Sequence, residues 1–230
     1  MRLLRISILM LLVVVTAIAC DRNHDGVLDE TYETERVDIV TYTGADSQNH
    51  ASFTLDGRDD EPAVRLMSTV APLEKVKLNT RILLTYAINH KSPDGASWDI
   101  DAIGYSRIIS DSIRANTNPI DTYSMHPLRL QSAWRTGEFI NIHGQVEVIS
   151  RTRQLYMMID RTTRGNDTVH AYLVHDLMGT PQDSIFYWRD FYLSVNVGVL
   201  KSPADPCRTL RLHLNDAAHP AIDHRDFNLK

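Results

Sequence analysis

Short runs of alternating apolar and polar residues, each closed by turn-forming residues, restrict this chain to a mainly β fold. The clearest is Arg81 to His90 (RILLTYAINH), where Ile82, Leu84, Tyr86 and Ile88 fall on one side. Successive side chains in a strand point to opposite faces, so such a run buries one face. Val37 to Thr43, Ala51 to Leu55, Ala63 to Thr69 and Trp98 to Ile109 read as strands of the same kind. Asp56-Gly57 and Pro93-Asp94-Gly95 punctuate them as turns. Val70 to Asn79 carries Pro72 at a plausible first helical turn and predicts a short helix. Five strands with one short helix suit a small Greek-key barrel of OB type.

The polar, proline-ended run Asn116-Thr117-Asn118-Pro119 is the best domain boundary. Beyond it, strand-like runs cover 128–134, 138–150, 154–161, 168–175, 185–199 and 209–214, and the tail 223–229 is a candidate for one more. Their spacing predicts a β-sandwich. In the longest, Phe191, Leu193, Val195 and Val197 read as core. Trp188, Tyr192, Ser194 and Asn196 share the opposite face, toward solvent, the other domain or a ligand. The expected organisation is a leader over 1–19, a tether over 20–35, an OB-like barrel over 36–115 and a sandwich over 116–230.

The N-terminal stretch sets the expected address. Arg2 and Arg5 precede the apolar run Ile6 to Ile18, which is shorter than the roughly 20 residues a membrane span needs. That is a secretory signal. Thr16-Ala17-Ile18-Ala19-Cys20 matches a bacterial lipobox, with Ala17 where leucine is commoner. The reading is cleavage before Cys20, lipid on its thiol, and attachment to a bilayer of the cell envelope, expected to be the outer membrane. Acyl chains contribute about 0.8 kcal/mol per buried CH₂, so several on one residue hold firmly.

Of 24 Lys and Arg, two (Arg2, Arg5) leave with the signal, so 22 face 29 Asp and Glu, a formal −7. That balance argues against nucleic acid as a partner, which needs a basic groove with stacking aromatics. With Cys20 acylated, Cys207 has no cysteine left for an intramolecular disulfide. It is expected to be a structural thiol rather than a nucleophile, since no base stands beside it in sequence.

Candidate sites are few. Asp21, Asn23, Asp25 and Asp29, with Gly26, match positions 1, 3, 5, 9 and 6 of a calcium loop. Position 12 is Tyr32 where a bidentate Glu belongs, so an acidic tether is the better reading; calcium calorimetry on an Asp25→Ala variant tests it. Tyr187, Trp188 and Tyr192 form a candidate sugar-stacking platform, against the plainer reading of sandwich filler. Asp111-Ser112-Ile113, Asp167-Thr168-Val169 and Asp183-Ser184-Ile185 match an Asp-Ser/Thr-apolar pattern for O-glycosylation of exported proteins. An intact mass equal to that of the unmodified lipoprotein would end that idea. Ten histidines invite a metal reading. His219 and His224, near Asp216, Asp223 and Asp226, are the nearest to a surface zinc or copper site, and unliganded surface histidines are the simpler account. No G-x-S-x-G, H-E-x-x-H, P-loop, Rossmann glycine run or C-x-x-C occurs. The expectation is therefore a non-enzyme without a cofactor.

Leu78 to Ile88, Trp98 to Ile103, Thr136 to Ile142, Asp167 to Asp176 and Asp190 to Val195 together resemble the NigD-like lipoproteins of anaerobic diderm bacteria. Thr80 stands where many members have glycine. The resemblance implies an N-terminal OB-like domain, a C-terminal β-sandwich and an envelope location, and it implies no site residues. The functional expectation is a monomeric, non-catalytic binding or assembly module with a protein or glycan partner. A bacteriocin-associated immunity or accessory factor is the alternative, and an envelope enzyme the third.

Overall fold

The computed structural model describes residues 35–59, 61–148, 153–179, 187–201 and 206–230. Cys20 and the run Asp21, Asn23, Asp25 and Asp29 lie outside them, as does Ser184.

Strands β1 (Arg36–Ala45), β2 (Ala51–Leu55), β3 (Val64–Ser68), β4 (Thr80–Lys91) and β5 (Ser97–Arg107) close into a barrel of order β1-β2-β3-β5-β4. β3 and β5 run parallel and the other pairs antiparallel, the Greek-key arrangement of an OB-type barrel. β1 pairs with both β2 and β4, and Gly44, at φ 98°, allows the register shift that bends it between them. Ile82, Leu84, Tyr86 and Ile88 are all buried, as their alternation requires, with Val40, Tyr42, Phe53, Leu66 and Ile100 around them.

The helix expected over 70–79 is absent. That stretch is a series of turns: Val76 N–H donates to Leu73 O and Thr80 N–H to Lys77 O. Two further donors go to the barrel, Leu73 N–H to the Tyr42 hydroxyl and Asn79 N–H to Tyr42 O. Leu73 and Val76 pack on the barrel core, and Asn79 ends the run at φ 61°. Tertiary partners for these amides replace the i→i−4 bonds a helix would have made.

The passage out of the barrel falls earlier than Asn116. β6 (Ile109–Ser112) pairs in parallel with β12, and β7 (Arg114–Ala115) with β10, so residues 109–115 belong to the sandwich sheets. Runs of four and two residues with mixed polarity carry too little periodicity to declare their sheet. The other strands are β8 (Arg129–Thr136), β9 (Phe139–Val148), β10 (Gln154–Ile159), β11 (Thr168–Asp176), β12 (Tyr187–Asn196), β13 (Thr209–His213) and β14 (His224–Asn228). One sheet has the order β14-β13-β11-β10-β7 and the other β6-β12-β9-β8. Their inner faces share one core that includes Ile140, Ile142, Leu193 and Val195 from one sheet and Met157, Ala171, Leu173 and Leu212 from the other. Cys207 is buried in it, its thiol directed at Thr209 O.

Barrel and sandwich lie within one compact unit, Thr34–Lys230. The outer face of the four-stranded sheet carries Ser132, Trp134 and Thr136, then Phe139, Asn141 and His143, then Trp188, Tyr192 and Ser194. Part of that face is covered by the barrel, and part opens into a cleft.

Candidate functional site

Arg81 on β4 closes the covered part. It alternates with Ile82 and so points out of the barrel, yet it is only 1% exposed. Its Nε–H donates to Ser194 Oγ at 3.1 Å and Nη1 to Thr41 Oγ1 at 2.9 Å. Nη1 also donates to the Asp56 carboxylate, and Nη2 to Asn141 Oδ1 at 3.4 Å. The guanidinium lies 4.1 Å from the centre of the Phe139 ring. Ser194 Oγ donates to Asn141 Oδ1, and Asn141 Nδ2 to Thr136 Oγ1, each at 2.8 Å. Burial pushes the guanidinium pKa down, and the charge of Asp56 pulls it back. One buried cation thus joins two barrel residues to two sandwich residues.

The loop after β2 reinforces the junction. Gly137 N–H donates to Gly57 O at 3.2 Å, Arg135 Nη2 donates to Asp59 O at 3.1 Å, and Arg58 forms a bridge with Thr136. Asp56-Gly57 opens the connection of the β2–β3 hairpin, as expected, and that connection is a longer loop that reaches to the sandwich.

Beside this junction the cleft opens, with a volume of about 650 Å³. That is within the roughly 300–1,000 Å³ typical of ligand sites. The barrel supplies Arg36, Asp38, Leu83 and Trp98, and the loop supplies Asp56, Gly57, Arg58 and Glu61. Ser132, Trp134, Thr136, His143 and Tyr192 come from the sandwich. His143 and Tyr192 stack at 4.1 Å and 7°. Burial pushes the Tyr192 phenol pKa up, and the nearby Asp190 charge adds to it. Asp38 accepts from the Tyr86 hydroxyl at 2.9 Å and faces Arg36 at 3.4 Å. Exposed cations lie over the indoles: Arg36 and Lys91 at Trp98, Arg58 at Trp134. The wall therefore combines flat aromatic surface with fixed charges of both signs.

The structure divides the aromatic platform expected at Tyr187, Trp188 and Tyr192. Tyr192 lines the cleft; Trp188 and Tyr187 do not. Trp188 is half-buried beneath the Arg129 guanidinium at 4.0 Å, and Tyr187, on the opposite face of β12, is 56% exposed. Trp98, Trp134 and His143 come instead from strands distant in sequence. Trp134 shares a face with Tyr192 across two strand pairings, which local sequence spacing does not show. Of the O-glycosylation candidates, Ser112 is exposed on β6 and Thr168 half-buried at the start of β11.

The acidic and histidine group near the C-terminus splits into separate pairs. His219 Nδ1 lies 3.0 Å from Asp216, His224 Nδ1 lies 2.6 Å from Asp223, and Arg211 holds Asp226 through two bonds. His170 and His175 take opposite faces of β11, as their spacing predicts. His175 is buried with Nδ1 at 3.2 Å from His126 O, and burial pushes its pKa down.

No family model and no curated protein sequence matches the chain. Solved structures do. A protein of unknown function (DUF1344) from Bacteroides vulgatus aligns at TM-score 0.65 and 13% identity, over 85% of this chain and 90% of that one. A NigD-like immunity protein from Bacteroides caccae aligns at TM-score 0.54 and 15% identity, over 85% and 93%. The chain has the NigD-like fold. A Bacteroides fragilis protein described as a lipoprotein shares it, at TM-score 0.55 and 12% identity over 86% and 99% of the two chains. At these identities the NigD-like comparison concerns the fold, and the cleft is read from this chain's own residues.

Proposed function

We propose that this protein is a non-catalytic, membrane-anchored lipoprotein of the cell envelope that binds a glycan in the cleft between barrel and sandwich. The observation that carries the reading is that Trp98 of the barrel and Trp134 and Tyr192 of the sandwich line one cleft of about 650 Å³. A sugar ring presents an apolar C–H face and a rim of hydroxyls. Aromatic walls fit the first, and Asp38, Glu61, Arg36 and Arg58 fit the second. A stacked ring takes the place of one of the exposed cations now over the indoles. Asp38 and Asp56 are already engaged by Tyr86 and Arg81, which supports a binding role for the site over proton transfer. The anchor rests on the lipobox ending at Cys20, and the likeness to a protein described as a lipoprotein supports it.

The test is a titration against a polysaccharide panel, read by tryptophan fluorescence and calorimetry. Trp98→Ala and Trp134→Ala are each expected to weaken binding at least tenfold, and Trp188→Ala to leave it unchanged. A ligand lost with Trp188→Ala and retained in the other two would place the site elsewhere. The likeness to an immunity protein of Bacteroides caccae favours a second reading, sequestration of a toxin polypeptide. Affinity capture from native membranes separates the two, because only the second yields a stoichiometric protein partner.

A further inference from the structure

The outer face of the five-stranded sheet carries a histidine cluster whose members do not line the cleft. His170, His213 and His224 stand on the neighbouring strands β11, β13 and β14. His213 lies directly across from His224 on one side and from Tyr172 on the other, and His170 is two residues from Tyr172 on the same face. His170 Nδ1 and His213 Nε2 are 2.9 Å apart, with ring planes 17° from parallel and centroids 5.0 Å apart. Two ring edges therefore meet nitrogen to nitrogen, and the contact holds one proton at most. Tyr172 stacks on His213 at 4.7 Å and fixes that ring.

We propose that His170 Nδ1 and His213 Nε2, with His224 Nε2 as a third donor, form a surface site for an imidazole-preferring divalent transition metal, copper(II) or zinc(II). At metal–nitrogen distances of about 2.0–2.1 Å, the observed separation subtends roughly 90° at an ion replacing the shared proton. That is the cis angle of tetragonal copper, and a widening of a few tenths of an ångström gives the tetrahedral angle of zinc. His224 is prepared for the third position. Its Nδ1 lies 2.6 Å from the Asp223 carboxylate, the contact that commonly orients a metal-binding imidazole and leaves Nε2 available.

Among the described residues no three ligating side chains already converge, so His224 must turn toward the pair. Its side chain is 39% exposed and its ring centre is 5.9 Å from that of His213, so the turn crosses no packed core. Arg211, the nearby cation, is tied to Asp226 at 2.8 and 2.7 Å. The sequence placed His224 beside His219. The sheet register instead places it beside His213, which no local motif marks.

The test uses the full-length lipoprotein in detergent micelles, stripped with chelator and titrated with copper(II) chloride and zinc(II) chloride at pH 7.5. Calorimetry is expected to show one site per chain. His170→Ala and His213→Gln are each expected to weaken it at least tenfold, and His224→Ala to weaken it less. His213→Gln retains an amide that can hydrogen-bond to His170, so its circular dichroism and thermal midpoint without metal should match the parent. In the copper form, paramagnetic resonance should show imidazole nitrogen couplings that decrease by one in His213→Gln. Binding that survives both His170→Ala and His213→Gln, or no binding by the parent, overturns the assignment.

Discussion

Replacing Arg81 by alanine tests whether one buried cation holds barrel and sandwich together. The change removes the donors to Ser194, Thr41, Asp56 and Asn141 and the ring contact with Phe139. Asp56 keeps its charge beside the junction, and the Ser194 and Asn141 side chains, both buried, lose a donor. Breaking a buried pair by removing one partner costs about 3–5 kcal/mol. The Asp56 side chain is 17% exposed, so water recovers part of that and the lower end, about 3 kcal/mol, is expected. With a urea slope near 2 kcal/mol/M, the midpoint falls by roughly 1.5 M. Tryptophan emission is a suitable assay, since Trp98 reports on the barrel and Trp134 and Trp188 on the sandwich. Arg81→Met with Asp56→Leu removes both charges and is expected to recover most of the loss, because well-packed apolar replacements of a buried ion pair are often neutral or stabilising. A single variant that moves the midpoint by less than about 0.3 M, or a double variant no more stable than the single, would refute the reasoning.

Three further changes probe other parts of the chain. Burial works against the charge of Asp216, but the bonds from His219 and from the Leu130 and Ala218 amides outweigh it and hold its pKa below the usual carboxylate range. That stabilisation is present above the unfolded value near pH 4 and is lost as pH falls through the lower folded value. Asp216→Asn should therefore be less stable than the parent at pH 7, with the gap narrowing below about pH 4 in denaturant titrations; an equal gap at pH 3 and pH 7 would contradict this. Gly144→Ala places a Cβ at 2.7 Å from Arg129 O and 3.0 Å from the Phe191 ring, where backbone cannot give way. It should cost about 1–3 kcal/mol and lower the thermal midpoint, and an unchanged midpoint would count against a tight fit. Cys20→Ser should abolish lipid labelling and move the protein from the detergent phase to the aqueous phase on Triton X-114 separation; retention in the detergent phase would disprove the anchor.

How much of this was legible in the sequence differs between core and site. The alternation in β4 is local, because a strand's two faces are set by residue parity, and it located Ile82, Leu84, Tyr86 and Ile88 correctly. The same parity marked Phe191, Leu193, Val195 and Val197 as core. The outward face of β4 held an unused signal: Leu83, Thr85 and Ala87, half-buried beside Arg81, are too apolar for a solvent-facing strand. The cleft was only partly visible, because Trp98, Trp134 and Tyr192 are brought to one cleft by strand pairing and by the barrel packing on the sheet. Tyr187 and Trp188 drew attention as neighbours of Tyr192, yet adjacent residues in a strand face opposite ways, and Arg129 covers Trp188.

The sequence by itself determined the β class, the barrel-then-sandwich order and most strand positions, because residue parity and turn chemistry act over a few neighbours. Only the tertiary structure decided that β6 and β7 join the sandwich, that 70–79 stays a loop and that Arg81 binds across the junction. It also decided that His213 meets His170. Each of these depends on partners far apart in sequence, brought together by sheet register and by packing between the modules.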